Sequence, residues 1–240
     1  MTSALFLLLA VAAPAPVPPV AQPPPPPAQS VSAGQTAYTQ NCATCHGSDL
    51  RGGPDAPPLR GVGAADVDFM LQTGRMPAAV PWIEVGHHGP NLSPSTIEGI
   101  VGYVTSVQPG GPPIPSVVAG NADRGRKLFA ENCMHCHGSQ GEGAAIGFLD
   151  WAPDLDRATV TEVAEAIRVG PGEMPRFGER QLSDTDVNDI AGFLSQHNAQ
   201  PDVEVPLTTS GPVPEGLLGW LGAGLMAFLV YAFSARGNPG

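Results

Sequence analysis

Two short stretches carry the residues able to do chemistry: Cys42-Ala43-Thr44-Cys45-His46 and Cys133-Met134-His135-Cys136-His137. Two thiols one helical turn apart, followed at once by an imidazole, form the attachment signature of c-type haem. The spacing follows from the chemistry. Each thiol adds across a vinyl group of the same porphyrin, and the next residue brings an imidazole to the iron as its fifth ligand. Cys-x-x-Cys pairs also build tetrahedral zinc-thiolate sites. Both copies, however, have the adjacent His, and together they use all four cysteines of the chain, leaving none for a disulfide or a redox pair. Two covalently attached haem c groups are expected, held by Cys42 and Cys45 and by Cys133 and Cys136. His46 and His137 are the expected ligands to the two irons.

The elements around these stretches also occur twice. Gly34, Tyr38, Asn41 and Cys42 match Gly125, Phe129, Asn132 and Cys133, each 91 positions further on. Leu92-Ser93, Ile97, Ile100 and Tyr103-Val104 match Leu182-Ser183, Val187, Ile190 and Phe193-Leu194, 90 positions further on. Each half reads as helix, Cys-x-x-Cys-His, long loop, Met, helix. Ser93 and Ser183 are good N-caps, and the apolar residues after them recur at three-to-four spacing. In each first helix the Gly and the aromatic lie four apart on one face. The bare Gly admits a second helix at close range, with the aromatics of the two helices packed beside it.

On these residues each half resembles a class I cytochrome c domain, over roughly residues 34–107 and 125–198. In that family the first and last helices cross at a Gly/aromatic contact, and a Met-bearing loop closes over the haem. The sixth ligand is then expected from the loop. Met76 in Gly74-Arg75-Met76-Pro77 and Met174 in Gly172-Glu173-Met174-Pro175 occupy matching turns, 30 and 37 residues after the haem-binding His. Proline after Met keeps the Met backbone extended, which suits presenting a thioether to iron. Core filling is the commoner use of Met, but the matched turns favour ligation. Met70, on an apparent helix from Ala65 to Gln72, and His87 or His88 are the competitors to Met76. His135 is expected at the surface. His/Met ligation favours ferrous iron and one-electron carriage, and leaves neither iron an open position. No catalytic residue is expected on the chain itself.

Composition narrows the function classes. Across 240 residues the formal charge is -11, and Lys127 is the only lysine. Nucleic-acid binding needs a basic footprint that this chain lacks, and so does a lysine-ringed soluble shuttle. Leu5 to Ala13 reads as the apolar part of an export signal or a short anchor. Pro14 to Pro27 reads as a polyproline tether. Gly216 to Phe233 gives eighteen residues without a charge, about 27 Å as a helix against a bilayer core of about 30 Å. Trp220, Tyr231 and Arg236 sit where interfacial anchors would. The expected architecture is mostly α: two tandem class I cytochrome c domains plus one C-terminal transmembrane helix. The expected bounds are 1–33 signal or anchor and tether, 34–107 first haem domain, 108–124 hinge, 125–200 second haem domain, 201–215 linker, 216–235 span and 236–240 cytoplasmic tail. Single-pass placement in the cell membrane, with the haem domains on the extracytoplasmic side, goes with it.

The whole pattern resembles one family, the dihaem cytochrome c subunit of the actinobacterial-type cytochrome bcc complex, a quinol–cytochrome c reductase. The carrying stretches are Gly61-Val62-Gly63-Ala64-Ala65, Asp68-Phe69, Thr73-Gly74-Arg75-Met76-Pro77, Ala152-Pro153-Asp154-Leu155, Met174-Pro175 and Gly211-Pro212-Val213-Pro214-Glu215-Gly216. The resemblance implies a cytochrome b subunit and a Rieske iron–sulfur protein as partners. It implies relay of single electrons from the Rieske centre through two haems to the CuA centre of an aa3-type oxidase. In that setting the chain is a subunit of an oxidoreductase and carries electrons without a small-molecule substrate site of its own. If the second domain sits next to the anchor, its haem takes the electron first. A free-standing anchored dihaem carrier and a dihaem peroxidase are the alternative readings.

Overall fold

The computed structural model describes residues 28–78, 87–147, 150–199 and 212–236. The expected export signal and polyproline tether lie outside the described residues, as do most of the linker before residue 212 and the tail after residue 236. The chain divides into two compact units, Met1–His197 and Asn198–Gly240. The first unit holds both halves of the repeat.

In the first half, α1 (Ala28–Asn41) runs into the single-turn helix α2 (Ala43–His46), followed by α3 (Ala64–Gln72) and α4 (Pro94–Val107). In the second half, α5 (Ala122–Asn132), α6 (Met134–His137), α7 (Val160–Val169) and α8 (Asp184–Asn198) repeat that order. A two-residue hairpin, β1 (Ala144–Ala145) against β2 (Trp151–Ala152), is added in the loop of the second half, with Ala144 opposite Ala152. The sequence reading has only loop there, because two-residue strands are too short to show a period.

Both helix crossings form at the glycines. A Cβ on Gly34 would lie 1.8 Å from the carbonyl oxygen of Gly99, and one on Gly125 would lie 1.9 Å from that of Asp189. Such backbone-to-backbone approach excludes any side chain. Beside each crossing the rings of Tyr38 and Tyr103, and of Phe129 and Phe193, meet with centroids 5.4 Å apart and tilted by 51° and 52°. That is the edge-inclined geometry aromatic quadrupoles favour. Ser93 and Ser183 accept from the amides of Thr96 and Asp186 as N-caps. Each half has its own apolar cluster, one around Tyr38, Leu71, Ile97 and Val104, the other around Phe129, Ile167, Ile190 and Leu194.

The two halves meet where α3 packs on α7, and polar groups are buried there. Asp66 accepts from the amide of Gly63 at 3.1 Å, and Glu162 accepts from that of Thr159 at 2.7 Å, so each helix is capped by an acid in its first turn. The other oxygen of Glu162 lies 3.2 Å from Nε2 of His87 in the opposite half. Glu165 is wholly buried, and among the described residues neither carboxyl oxygen has a hydrogen-bond partner of good geometry. Burial, then the neighbouring carboxyl of Asp68, pushes Glu165 up to about 9. Burial raises Asp68 as well. The segment joining the halves is tied to both. The amide of Ala65 donates to Pro112 O at 3.2 Å, and that of Gly120 to Asn188 O at 2.8 Å.

The second unit contains α9 (Pro212–Arg236). The expected transmembrane helix is not supported: among the described residues no helix is long and apolar enough to cross a membrane. Freedom from charge over eighteen residues is not by itself a span: length and apolarity must be met together, and the described residues do not meet them. The single-pass topology, and the order of electron entry inferred from the anchor, lose their basis with it.

The buried acid predicts a pH dependence. An unfolded glutamate releases its proton near pH 4.5, the folded Glu165 only near 9. Between those values the native state binds more protons than the unfolded one, so stability falls as pH rises through the window. Glu165→Gln removes that fall. Thermal melts are expected to show the variant close to the parent at pH 5 and more stable than it at pH 8; an equal loss in both proteins would contradict the assignment.

Candidate haem sites

Each Cys-x-x-Cys-His stretch folds as the end of one helix, an irregular residue and a single turn. Cys42 and Cys133 break the helices before them, with φ/ψ of -125/-34° and -124/-31°. Their amides still bond back to Tyr38 O and Phe129 O, each at 2.8 Å. The turn then carries each imidazole to the inside. His46 and His137 are each only 8% exposed.

The imidazoles are oriented alike. Nδ1 of His46 lies 2.9 Å from Pro57 O, and Nδ1 of His137 lies 3.0 Å from Pro153 O. A carbonyl only accepts, so Nδ1 must be the protonated nitrogen and Nε2 the bare one, as a metal ligand requires. The loop is pinned behind each ring, where Gly52 N donates to His46 O at 2.9 Å and Gly143 N to His137 O at 2.8 Å.

In the second half Cys133, Cys136, His137 and Met174 line one cavity of about 630 Å³. That volume lies within the range of cofactor pockets. Ile146 and Trp151, at 41% and 66% exposure, stand at its rim. In the first half Cys42 and Met76 pack against the same apolar cluster, while Cys45 is exposed. The Met76 amide donates to Met70 O at 2.9 Å, which closes the turn that carries it. Met70 lies on α3, and Met76 packs on the core. His87 is committed to Glu162, and His88 is exposed. His135 is exposed as the sequence reading expects, at the edge of the second cavity.

The donor set fits porphyrin: in the second half two thiols, an imidazole and a thioether line one cavity. Burial, then the companion thiol, pushes Cys42 and Cys133 each up to about 11, and a thioether link carries no charge to bury. Among the described residues no three His, Cys, Asp or Glu side chains group as a metal site would require.

The Met174 turn is held by a residue the sequence reading passed over. Arg168, at the end of α7, is 8% exposed. Its guanidinium donates to Phe177 O at 3.1 Å, Leu182 O at 2.7 Å and the Asp184 carboxylate at 2.6 Å. Arg176 Nε donates to Arg168 O at 2.8 Å, and Phe177 N to Ile167 O at 2.9 Å. The residues that follow Met174 are thereby fastened to α7. The helical pattern alone assigns a basic last-turn residue to the helix dipole, so its buried use leaves no trace in the sequence.

Comparison with known proteins agrees with this geometry. The family described as "Cytochrome c" matches residues 31–108, and "Cytochrome C oxidase, cbb3-type, subunit III" matches residues 120–194. The chain is 35% identical over 201 residues to a cytochrome bc1 complex cytochrome c subunit of Mycobacterium leprae, covering 78% of this chain and 69% of that one. It is 33% identical over 223 residues to the protein of the same name from Corynebacterium efficiens, covering 84% and 75%. A cbb3-type cytochrome c oxidase subunit FixPc of Rhizobium leguminosarum is 29% identical over 192 residues, covering 69% and 60%.

Arg168→Met strands the buried carbonyl of Leu182 and the part-buried one of Phe177. It is expected to destabilise the chain by about 2–4 kcal/mol, read from urea denaturation. A loss below about 0.5 kcal/mol would show that the clamp does not hold the turn.

Proposed function

Because the chain belongs to the family of cytochrome c subunits of the cytochrome bc1 complex, we propose that it relays single electrons from a Rieske iron–sulfur centre through two haems to the CuA centre of an aa3-type oxidase. At the coarser level it is a cytochrome c electron carrier of a bc1-type complex, and its cytochrome c domains imply haem c. The complex is the oxidoreductase. This chain contributes carriage, with cytochrome b and Rieske subunits as partners.

In this reading Cys42 and Cys45 would hold one haem and Cys133 and Cys136 the other, with His46 and Met76, and His137 and Met174, as the residues that would ligate the irons. When bound, each haem supplies a one-electron ferric/ferrous couple. The chain's own residues do the rest. Pro57 O and Pro153 O fix the imidazole tautomers. The Met turns offer a thioether that favours the reduced state and closes the far side to small ligands. The apolar clusters keep water from the ligating atoms. The observation that carries the reading is the convergence of Cys133, Cys136, His137 and Met174 on one cavity, with the same element order repeated in the first half.

Charge supports a built-in relay over a diffusing one. With a net charge of -11 and one lysine the chain has no basic ring for steering. Residence in a complex replaces steering by effective concentration, about millimolar for a short connection. The place of action in this reading is the membrane that houses the complex, with the haem halves on its extracytoplasmic side, where c-type haem is attached.

Extraction in mild detergent is expected to bring cytochrome b, the Rieske protein and the oxidase with this chain. The intact mass should exceed the polypeptide by two haems. Met76→Ala and Met174→Ala should each let one haem of the two bind carbon monoxide. A chain that travels alone, or that weighs as bare polypeptide, would overturn the reading.

A further inference from the structure

The cavity of the second half is not built from the second half alone. Phe69, Thr73, Arg75 and His87, all from the first half, stand in its wall. They arrive there because α3 packs on α7, so the turn leaving α3 ends beside the opposite cavity. Thr73 is buried, donating to Phe69 O at 2.6 Å, and His88 N donates to Thr73 O at 3.0 Å. The Arg75 guanidinium lies 5.0 Å from the centre of the Phe69 ring, a cation–π distance that orders it.

The charges lining the cavity are unevenly supplied. Asp150, Asp154, Glu162 and Glu173 come from the second half, and among the described lining residues Arg75 is the one Arg or Lys. An acidic pocket lined this way disfavours a further anion and favours the more positive state of any redox group inside it. A fixed guanidinium opposes both effects, and here the other half of the repeat provides it. The same four-residue turn, Gly74-Arg75-Met76-Pro77, sends Met76 to its own core and Arg75 to the neighbouring cavity.

We propose that the first half completes the second haem pocket, with Arg75 as a cationic positioning residue that raises the second haem's potential and links the two redox sites through one turn. This rests on the functional reading given above, namely that a haem occupies the cavity lined by His137 and Met174. Arg75 acts on the bound group through its charge, held over Phe69, and not as an iron ligand. The consequence is mutual dependence: what displaces the Met76 turn also moves the charge facing the second haem.

The test uses the full-length, haem-loaded chain and potentiometric titration followed through the methyl resonances of Met76 and Met174, which report each haem separately. Arg75→Gln is expected to lower the second haem's potential and shift electron sharing between the haems about tenfold toward the first, the order of one unit charge at interior dielectric. Arg75→Lys should recover most of the shift, which a purely structural effect of losing the guanidinium would not allow. Phe69→Leu, which removes the ring under the cation but keeps the residue apolar, should shift the second haem in the same direction as Arg75→Gln. If only the first haem moves, or Lys fails to restore the second, the proposal is overturned while the relay reading stands. If intact mass shows no haem on Cys133 and Cys136, both fall.

Discussion

One hydrogen bond in each half governs what the sites can be. A backbone carbonyl, Pro57 O or Pro153 O, accepts from the Nδ1 of the buried imidazole at 2.9 or 3.0 Å. It selects the tautomer, fixes the plane of the ring and leaves Nε2 as the only free lone pair. Everything else arranges that bond. The helix crossing sets the depth of the Cys-x-x-Cys-His turn, the glycine amide behind each ring pins the loop, and the proline carbonyl is delivered from the segment that follows. The separation from His to proline differs, eleven residues in one half and sixteen in the other. The longer loop carries the hairpin β1–β2. The bond is therefore preserved across loops of unequal length, and the loop geometry serves it.

Much of this was legible in the chain. Gly34 with Tyr38, and Gly125 with Phe129, predict a close crossing and paired rings, and both are found, with rings 5.4 Å apart in each half. Such features are readable because they are local: a bare residue and an aromatic on one helical face have few other uses. Ser93 and Ser183 are local for the same reason. The apolar run at 216–233 shows the opposite failure. Absence of charge and flanking aromatics suggest a span, but among the described residues no helix is long and apolar enough to cross a membrane.

The contact between halves was illegible, and the reason is physical. Periodicity assigns Asp68, Glu162, Glu165 and Arg168 to solvent, since charged residues are seldom buried unless paired. The structure buries all four. Two are satisfied within the interface or its flanks, Glu162 by its capping amide and His87, Arg168 by carbonyls. Glu165 is accommodated by remaining protonated, which burial and Asp68 together impose. The capping bond of Glu162 to Thr159 is local, but its contact with His87, the carbonyls that hold Arg168 and the Asp68 carboxyl beside Glu165 lie nine or more residues away, out of reach of helical spacing. Arg75 belongs to the same class: nothing local distinguishes a residue beside a Met-Pro turn that faces its own half from one that faces the other.

This bears on why the repeat is inexact. The residues the two halves share, namely the Cys-x-x-Cys-His turns, the crossing glycines, the aromatics and the Met-Pro turns, each serve one half by itself. The halves differ in the loop that carries β1–β2 and on the helices where they touch. α3 and α7 begin alike, each with an acid capping its first turn. They then diverge: α3 buries Phe69 where α7 goes on to bury Glu165 and Arg168. Two identical helices packed together would place like beside like, acid against acid or cation against cation, at a cost the interior does not screen. The contact still keeps one acid pair, Asp68 beside Glu165, and His87 of the first half meets Glu162 of the second. The elements of a single carrier domain are thus kept twice over, while α3 and α7 diverge on the faces where the halves meet.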